Sequence, residues 1–175
     1  PADIFLPARA FASSSILLVQ PASVQNLGET KLTATIRGGS FSLINPSILW
    51  EQRLNKKSGL VVNGEYQYSK GNYPFIDYET GNSKKYRNNA DVHTAKAEAG
   101  YGYRFNDSSE LRLRGYFFQS DRGLPGAVVL FNDFSAQRLS NRHAFLQGSW
   151  TKHFNQKTRF QLAGKFTSDY KYYLD

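Results

Sequence analysis

The chain has 175 residues, a formal net charge of +8 and no cysteine, so one domain is expected and neither a disulfide framework nor a thiolate metal site can organise it. Its longest apolar runs, such as Ile16 to Val19, fall far short of the roughly eighteen residues that a membrane-spanning helix requires. A mean hydropathy of −0.53 does not exclude a membrane protein, because a barrel strand carries its apolar residues at every second position only.

Pro1 to Pro21 is punctuated by proline and rich in small residues from Ala8 to Ser15. It reads as a loop followed by a buried strand over Ile16 to Val19, with Val24 to Glu29 as a linker. Residues 1–28 are thus set apart from 29–175. From Leu32 the chain alternates: Leu32, Ala34 and Ile36 fall on one side, Thr33, Thr35 and Arg37 on the other. Period two is the signature of a strand with one apolar face. Gly38-Gly39-Ser40 predicts a turn. Phe41 to Leu54 returns with Ile44, Ile48, Trp50 and Leu54 opposite Glu51 and Arg53, and Pro46 predicts a bulge or an irregular segment within it. Asn55 to Ser58 is a short turn, and Gly59 to Lys70 carries Leu60, Val62, Tyr66 and Tyr68 against Asn63, Glu65, Gln67 and Ser69.

From Gly71 to Ala90 the alternation stops, which predicts a long loop. Asp91 to Asp121 is the clearest stretch of the chain. Ala95, Ala97, Ala99, Tyr101, Tyr103 and Phe105 share one side, opposite Thr94, Lys96, Glu98 and Arg104; after Asn106 to Ser109, Leu111, Leu113, Gly115 and Phe117 alternate with Arg112 and Arg114. Each arm of this hairpin runs for about ten to fourteen residues, against five or six in most globular strands. A second long loop is expected over about Arg122 to Arg142. Ala144, Leu146, Trp150 and Phe154 then mark a strand, Asn155 to Lys157 a short turn, and Phe160, Leu162, Gly164 and Phe166 a last strand.

Tight turns near residues 56, 107 and 156 lie at one end, with long loops between them at the other. That asymmetry matches outer-membrane barrels, which have short periplasmic turns, long extracellular loops and aromatic girdles at both interfaces. With the short turns on the periplasmic side, Tyr103, Phe105, Phe154 and Phe160 form one belt, Tyr66, Tyr68, Phe117, Tyr170 and Tyr172 the other. Ala97, Ala99, Leu113, Leu146 and Leu162 lie between them. The predicted fold is all-β: an antiparallel transmembrane β-barrel segment of about seven long strands belonging to a larger barrel. Glu65, Lys96, Glu98, Arg112, Arg114 and Lys165 are expected to face its lumen.

The charge fits a polyanionic partner, lipopolysaccharide or nucleic acid, but the basic residues are mixed with acids on the polar faces of the strands. A solvated lumen explains this better than a nucleic-acid groove, which wants exposed stacking aromatics. His143 and His153 are ten residues apart on one predicted strand, about 33 Å, too far to share a metal. Gly100-Tyr101-Gly102 lacks the third glycine and the helix of a dinucleotide fingerprint, and no nucleophile elbow or phosphate loop occurs. No catalytic residue, metal ligand or cofactor is assigned, and an enzyme is not expected. The two loops carry the candidate ligand contacts: Tyr73, Phe75 and Tyr78 in the first, Arg122 and Leu124 in the second. Capture of a ligand by these groups competes with packing of the loops on one another.

The stretches GGSFSLINPSILWEQRLN (Gly38 to Asn55), SDRGLPGAVV (Ser120 to Val129) and YKYYLD (Tyr170 to Asp175) resemble TonB-dependent outer-membrane receptors of the Bacteroidetes type. In that family a plug domain fills a barrel of twenty-two strands, and import is driven by the inner-membrane TonB complex. The resemblance implies that Ala8 to Val19 ends the plug, with its last strand at Ser15 to Val19, and that residues 29–175 open the barrel. The TonB box, most of the plug and about two thirds of such a barrel have no counterpart here, so a fragment is expected. The implied setting is the outer membrane of a Gram-negative cell. The implied partners are its lipid and lipopolysaccharide, the TonB complex, and a small nutrient such as a corrinoid, an iron chelate or haem. Two other readings stay open: a small complete eight-stranded barrel acting as an adhesin or structural protein, and a soluble basic all-β binding module.

Overall fold

The computed structural model describes residues 28, 30–78, 81–126 and 135–175. The strand expected at Ser15 to Val19 and the Ala127 to Val129 part of the second loop lie outside these residues. Among the described residues nine strands form: β1 (Lys31–Gly39), β2 (Leu43–Asn55), β3 (Ser58–Ser69), β4 (Pro74–Asp77), β5 (Ser83–Tyr86), β6 (Val92–Asn106), β7 (Ser109–Gly123), β8 (Arg138–His153) and β9 (Arg159–Leu174). Seven of them make one sheet in the order β1-β2-β3-β6-β7-β8-β9, with every pair antiparallel. The sheet is not closed, since β1 and β9 are its two edges. β9 is exposed along its whole length.

Partners directly opposite in an antiparallel ladder lie on the same face, so the register decides the faces. One transverse row reads Ala34, Ile48, Gly64, Ala97, Phe117, Ala144 and Ser168. The row two residues nearer the short turns reads Leu32, Trp50, Val62, Ala99, Gly115, Leu146 and Phe166. These rows continue into one apolar face spanning all seven strands. It stays open to its surroundings: Leu146 is 60%, Leu162 63% and Phe166 73% exposed. Small and aliphatic side chains occupy its middle. Tyr103, Phe105, Trp150 and Phe160 gather toward the short turns, with Tyr103 and Phe105 edge to face at 4.9 Å and Trp150 and Phe160 likewise at 5.9 Å. Tyr66, Tyr68 and Tyr170 lie toward the other end.

The three short turns share one device. Asn55, Asn106 and Asn155 each begin a turn, and each side-chain oxygen accepts a hydrogen bond from the backbone N–H two residues on, at 2.8 Å from Lys57, 3.0 Å from Ser108 and 2.9 Å from Lys157. Asparagine supplies this Asx bond at little conformational cost, so a turn closes without glycine.

Three local expectations are corrected and one, at Pro46, is narrowed. The first turn is not made by Gly38 and Gly39, which pair within β1, but by Phe41 and Ser42 at φ 59° and 60°. This is the type I′ geometry that matches strand twist. Non-glycine residues hold it because the end of β3 grips the turn: Lys70 N–H and Ser69 Oγ both donate to the Phe41 carbonyl, at 3.0 and 3.3 Å. This tight turn lies at the same end as the long loops, so the asymmetry of the connections is incomplete. Second, of the two alternatives at Pro46 the irregular segment forms and the bulge does not. The register is unchanged from Ile44 opposite Tyr68 to Ser47 opposite Glu65, and only the ladder to β3 lapses at Asn45 and Pro46. Asn45 is 6% exposed and fills the lapse with its side chain, Nδ2 donating to the Tyr66 carbonyl at 2.9 Å and to Glu65 at 3.0 Å. Third, the stretch from Gly71 to Ala90 is not a plain loop, because β4 and β5 form a separate hairpin inside it. Fourth, the second loop is shorter than expected, since β7 runs to Gly123 and β8 begins at Arg138.

Candidate functional site

The register places Glu65, Lys96, Glu98, Arg112, Arg114 and Lys165 on a single face, opposite the apolar one. They are organised as pairs rather than a uniform positive surface. Lys96 meets Glu65 at 3.7 Å and Arg114 meets Glu98 at 2.7 Å, each across adjacent strands, while Arg112 pairs with Glu110 on its own strand. Such half-exposed pairs contribute about 0–1 kcal/mol each, so they orient side chains more than they stabilise the sheet.

Between the charges lies an aromatic group that alternation alone did not single out. Tyr116 and Phe145, direct partners on β7 and β8, stack nearly parallel with centroids 5.1 Å apart. Lys165 Nζ stands 4.4 Å from the Phe145 ring centre, and the Arg114 guanidinium stands 6.0 Å from it. His143, beside them, meets Asp169 at 2.5 Å. Two cations therefore stand over the Phe145 ring, held by its quadrupole.

The loop candidates are brought together only in part. Tyr73 packs edge to face on Phe41, with centroids 6.1 Å apart, and its carbonyl accepts from Arg87 N–H at 2.9 Å. Phe75 is half-buried on β4, and Tyr78 is 78% exposed beyond it. Leu124 sits in a lock between the two loops. Asn89 Nδ2 donates to the carbonyls of Leu124, at 3.3 Å, and Gln137, at 2.7 Å, and the Arg87 guanidinium donates to the carbonyls of Pro125 and Gly126. Arg138 closes the lock from below with two bonds to Asp91, at 3.1 and 2.8 Å. That hydrogen-bonded guanidinium holds the Asp91 carboxyl below the usual carboxylate range. Gly123 is required here, since a Cβ would overlap the Asn89 carbonyl oxygen. Arg122 lies on the polar face, opposite Val92 and Leu139. Among the described residues no ring contact or hydrogen bond joins it to Tyr73, Phe75 or Tyr78. Arg87 and Asn89 are the residues that sequence reasoning missed: they sit in a polar stretch with no periodicity, and their partners are 35 or more residues away.

The arrangement offers three surfaces: an apolar face able to contact an apolar medium, a polar wall of paired charges, and a rim of interlocked loops. No protein-family model matches the chain, and no curated protein matches it.

Proposed function

We propose that this sheet is a section of the wall of an outer-membrane β-barrel, and that the barrel is a TonB-dependent receptor importing a scarce nutrient: a corrinoid, an iron chelate or haem. The observation that carries the membrane part is the zoned apolar face. Strands of up to 16 residues extend about 53 Å, or about 40 Å in height at a tilt near 40°, which exceeds the apolar band of about 25 Å with room for rims. A soluble sheet would have to cover Leu146, Leu162 and Phe166 with a second layer, and the described residues supply none. Lipid covers them without one.

The receptor part rests on the likeness of Gly38 to Asn55, Ser120 to Val129 and Tyr170 to Asp175 to that family, together with a polar wall of paired charges suited to an occupied lumen. In this reading the interlocked loops form part of the outer rim, and Tyr73, Phe75, Tyr78, Arg122 and Leu124 are the candidate ligand contacts there. A small complete eight-stranded barrel would need the edges β1 and β9 to be joined through an eighth strand, and the described residues supply none.

The chain contains no native cysteine, which makes a single-cysteine spin-label scan along β8 the direct test. In lipid vesicles, labels at 144, 146 and 148 should collide with oxygen, and labels at 143, 145 and 147 with a water-soluble nickel chelate. Equal accessibility to both reagents at neighbouring positions would reject the membrane wall. Receptor function is tested separately, by growth on a corrinoid, iron chelate or haem as limiting nutrient when the gene is deleted.

A further inference from the structure

The apolar face ends, toward the short turns, on a rim whose charge is not matched within the sheet. Residues 53–59, 102–112 and 149–163 hold eight lysines and arginines against Asp107 and Glu110, while the rest of the chain holds fourteen against twelve acids. Arg53, Arg104, Arg112 and Arg159 belong to the polar face, which leaves four lysines. Two of these are tied to the aromatic belt. Lys152 stands on the apolar face between Ser109 and Phe160, and its Nζ lies 5.1 Å from the Phe154 ring centre. On the far side of the turn between β6 and β7, Lys57 Nζ donates to the Phe105 carbonyl at 3.2 Å. Lys56 and Lys157 are exposed in the neighbouring turns.

Among the described residues no carboxylate pairs with any of these four lysines, whereas Lys96, Arg112, Arg114 and Arg138 each have one. The opposite rim differs. There the cations of the same face, Arg138 and Arg142, are balanced by Asp91, which is bound to Arg138, and by Asp121. Height along the sheet is a separate observation. Lys152 lies six residues from Leu146, midway along β8, about 20 Å along the strand and about 15 Å in height at a tilt near 40°. Half of an apolar band of about 25 Å is about 13 Å. The backbone of Lys152 is therefore just outside the band, and its ammonium, carried farther out on a flexible stem, reaches the level of lipid headgroups. The exposed rings of Phe105, Phe154 and Phe160 mark the same level.

We propose that this rim is a docking surface for anionic phospholipid, with Lys152 and Lys157 at one headgroup phosphate, Lys56 and Lys57 at another, and the acyl chains lying on the apolar face above them. The inference rests on the membrane-wall reading and adds which lipid that wall selects. Unpaired cations contiguous with an exposed apolar face suit a molecule that joins a phosphate to hydrocarbon, because a free phosphate ester would use only half of the surface. A zwitterionic headgroup carries its own ammonium beside the phosphate, so it gains less from the lysines than a headgroup of net negative charge. The arginines of the polar face take no part.

The test reads the lipid beside Trp150, which stands 5.9 Å from Phe160 in the belt. Trp50→Phe leaves it as the only tryptophan. The chain is folded into vesicles of phosphatidylcholine mixed equally with phosphatidylglycerol, with one or the other lipid brominated in its acyl chains so that it quenches tryptophan on contact. The quenching should report phosphatidylglycerol enriched about threefold or more, since a lysine near an anionic surface contributes about a fivefold preference. Lys152→Gln with Lys157→Gln should abolish the enrichment. Lys70→Gln with Lys171→Gln removes the same charge at the other end, more than a Debye length away, and should leave it unchanged. Leu54→Trp, with both native tryptophans replaced by phenylalanine, reads the Lys56 and Lys57 pair in the same way. Circular dichroism identical to that of the parent establishes that each variant is folded. Quenching by neither lipid would overturn the membrane wall and the proposal together. Equal quenching by the two lipids would leave the wall standing and overturn the proposal alone, as would an enrichment that survives loss of Lys152 and Lys157 or falls equally in the control pair. Suppression of the enrichment by glycerol phosphate at constant ionic strength would make this a site for free phosphate esters, and overturn it as well.

Discussion

Leu146 lies eight residues from Arg138 and seven from His153 in β8, about 25 Å along the strand from either end and hence near the midplane of a tilted wall. Its side chain lies over Gly115, where an added Cβ would come within 4.0 Å of Leu146 Cδ1, and is 60% exposed. Leu146→Arg therefore places a guanidinium where lipid would be thickest. Barrel substitutions of that kind cost about 2–4 kcal/mol at the midplane, an about 30- to 700-fold shift in the folding equilibrium at 1.4 kcal/mol per decade. The neighbouring Gln147 stands on the polar face between Arg114 and Lys165. Gln147→Arg adds only like-charge repulsion in water, worth about 1 kcal/mol or less. Urea titration of folding into lipid vesicles reads the difference directly, by the fluorescence of Trp50 and Trp150, the only two tryptophans, which both lie on the apolar face. Equal cost for the two substitutions, or a larger cost for Gln147→Arg, would refute the assignment of faces.

Gly123→Ala should break the lock between the loops, since its Cβ meets the Asn89 backbone. An overpacking cost of about 1–3 kcal/mol should appear in the urea midpoint and as faster proteolysis of both loops. The Asp91–Arg138 pair carries a pH signature. The folded-state pKa of Asp91 lies below its unfolded value of about 3.9, so the stabilisation is present above that value and is lost as pH falls through the lower, folded one. Asp91→Asn should thus be less stable than the parent at pH 7 and equal to it once both pKa values are passed; a gap that survives full protonation would exclude the carboxylate as its source. Asn106→Ala removes the bond to Ser108 N–H and should cost about 0.5–1.5 kcal/mol in the same titration, with a similar value for Asn55→Ala at the equivalent turn.

The long strands were legible because their residues alternate without interruption for ten or more positions, and that regularity also assigned Glu65, Lys96, Glu98, Arg112, Arg114 and Lys165 to one side. The first turn was misplaced because Gly38 and Gly39 carry the strongest local turn signal, whereas tertiary bonds from Ser69 and Lys70 hold Phe41 and Ser42 in the left-handed region. β4 and β5 were missed because four residues apiece, one of them Pro74, are too short for a period to emerge. The lock made by Arg87 and Asn89 has a different cause. It joins residues whose adjacency depends on the register of several strands, just as Gly59 and Gly102 become neighbours only once β3 is paired with β6.

That β3–β6 pairing has a consequence for how the sheet comes together. Every other neighbouring pair is consecutive in the chain, so each hairpin can form on the edge left by the one before. β3 and β6 are separated by residues 70–91, and the β4–β5 hairpin, extended by the bond from Arg87 N–H to the Tyr73 carbonyl, cinches the middle of that span. Taking residues 73–87 out of the free span leaves about a third of it and lowers the entropy lost on closure by about 1 kcal/mol. A small side hairpin with no place in the main sheet thereby shortens the longest connection between paired neighbours of that sheet, which is where a long-range closure costs most.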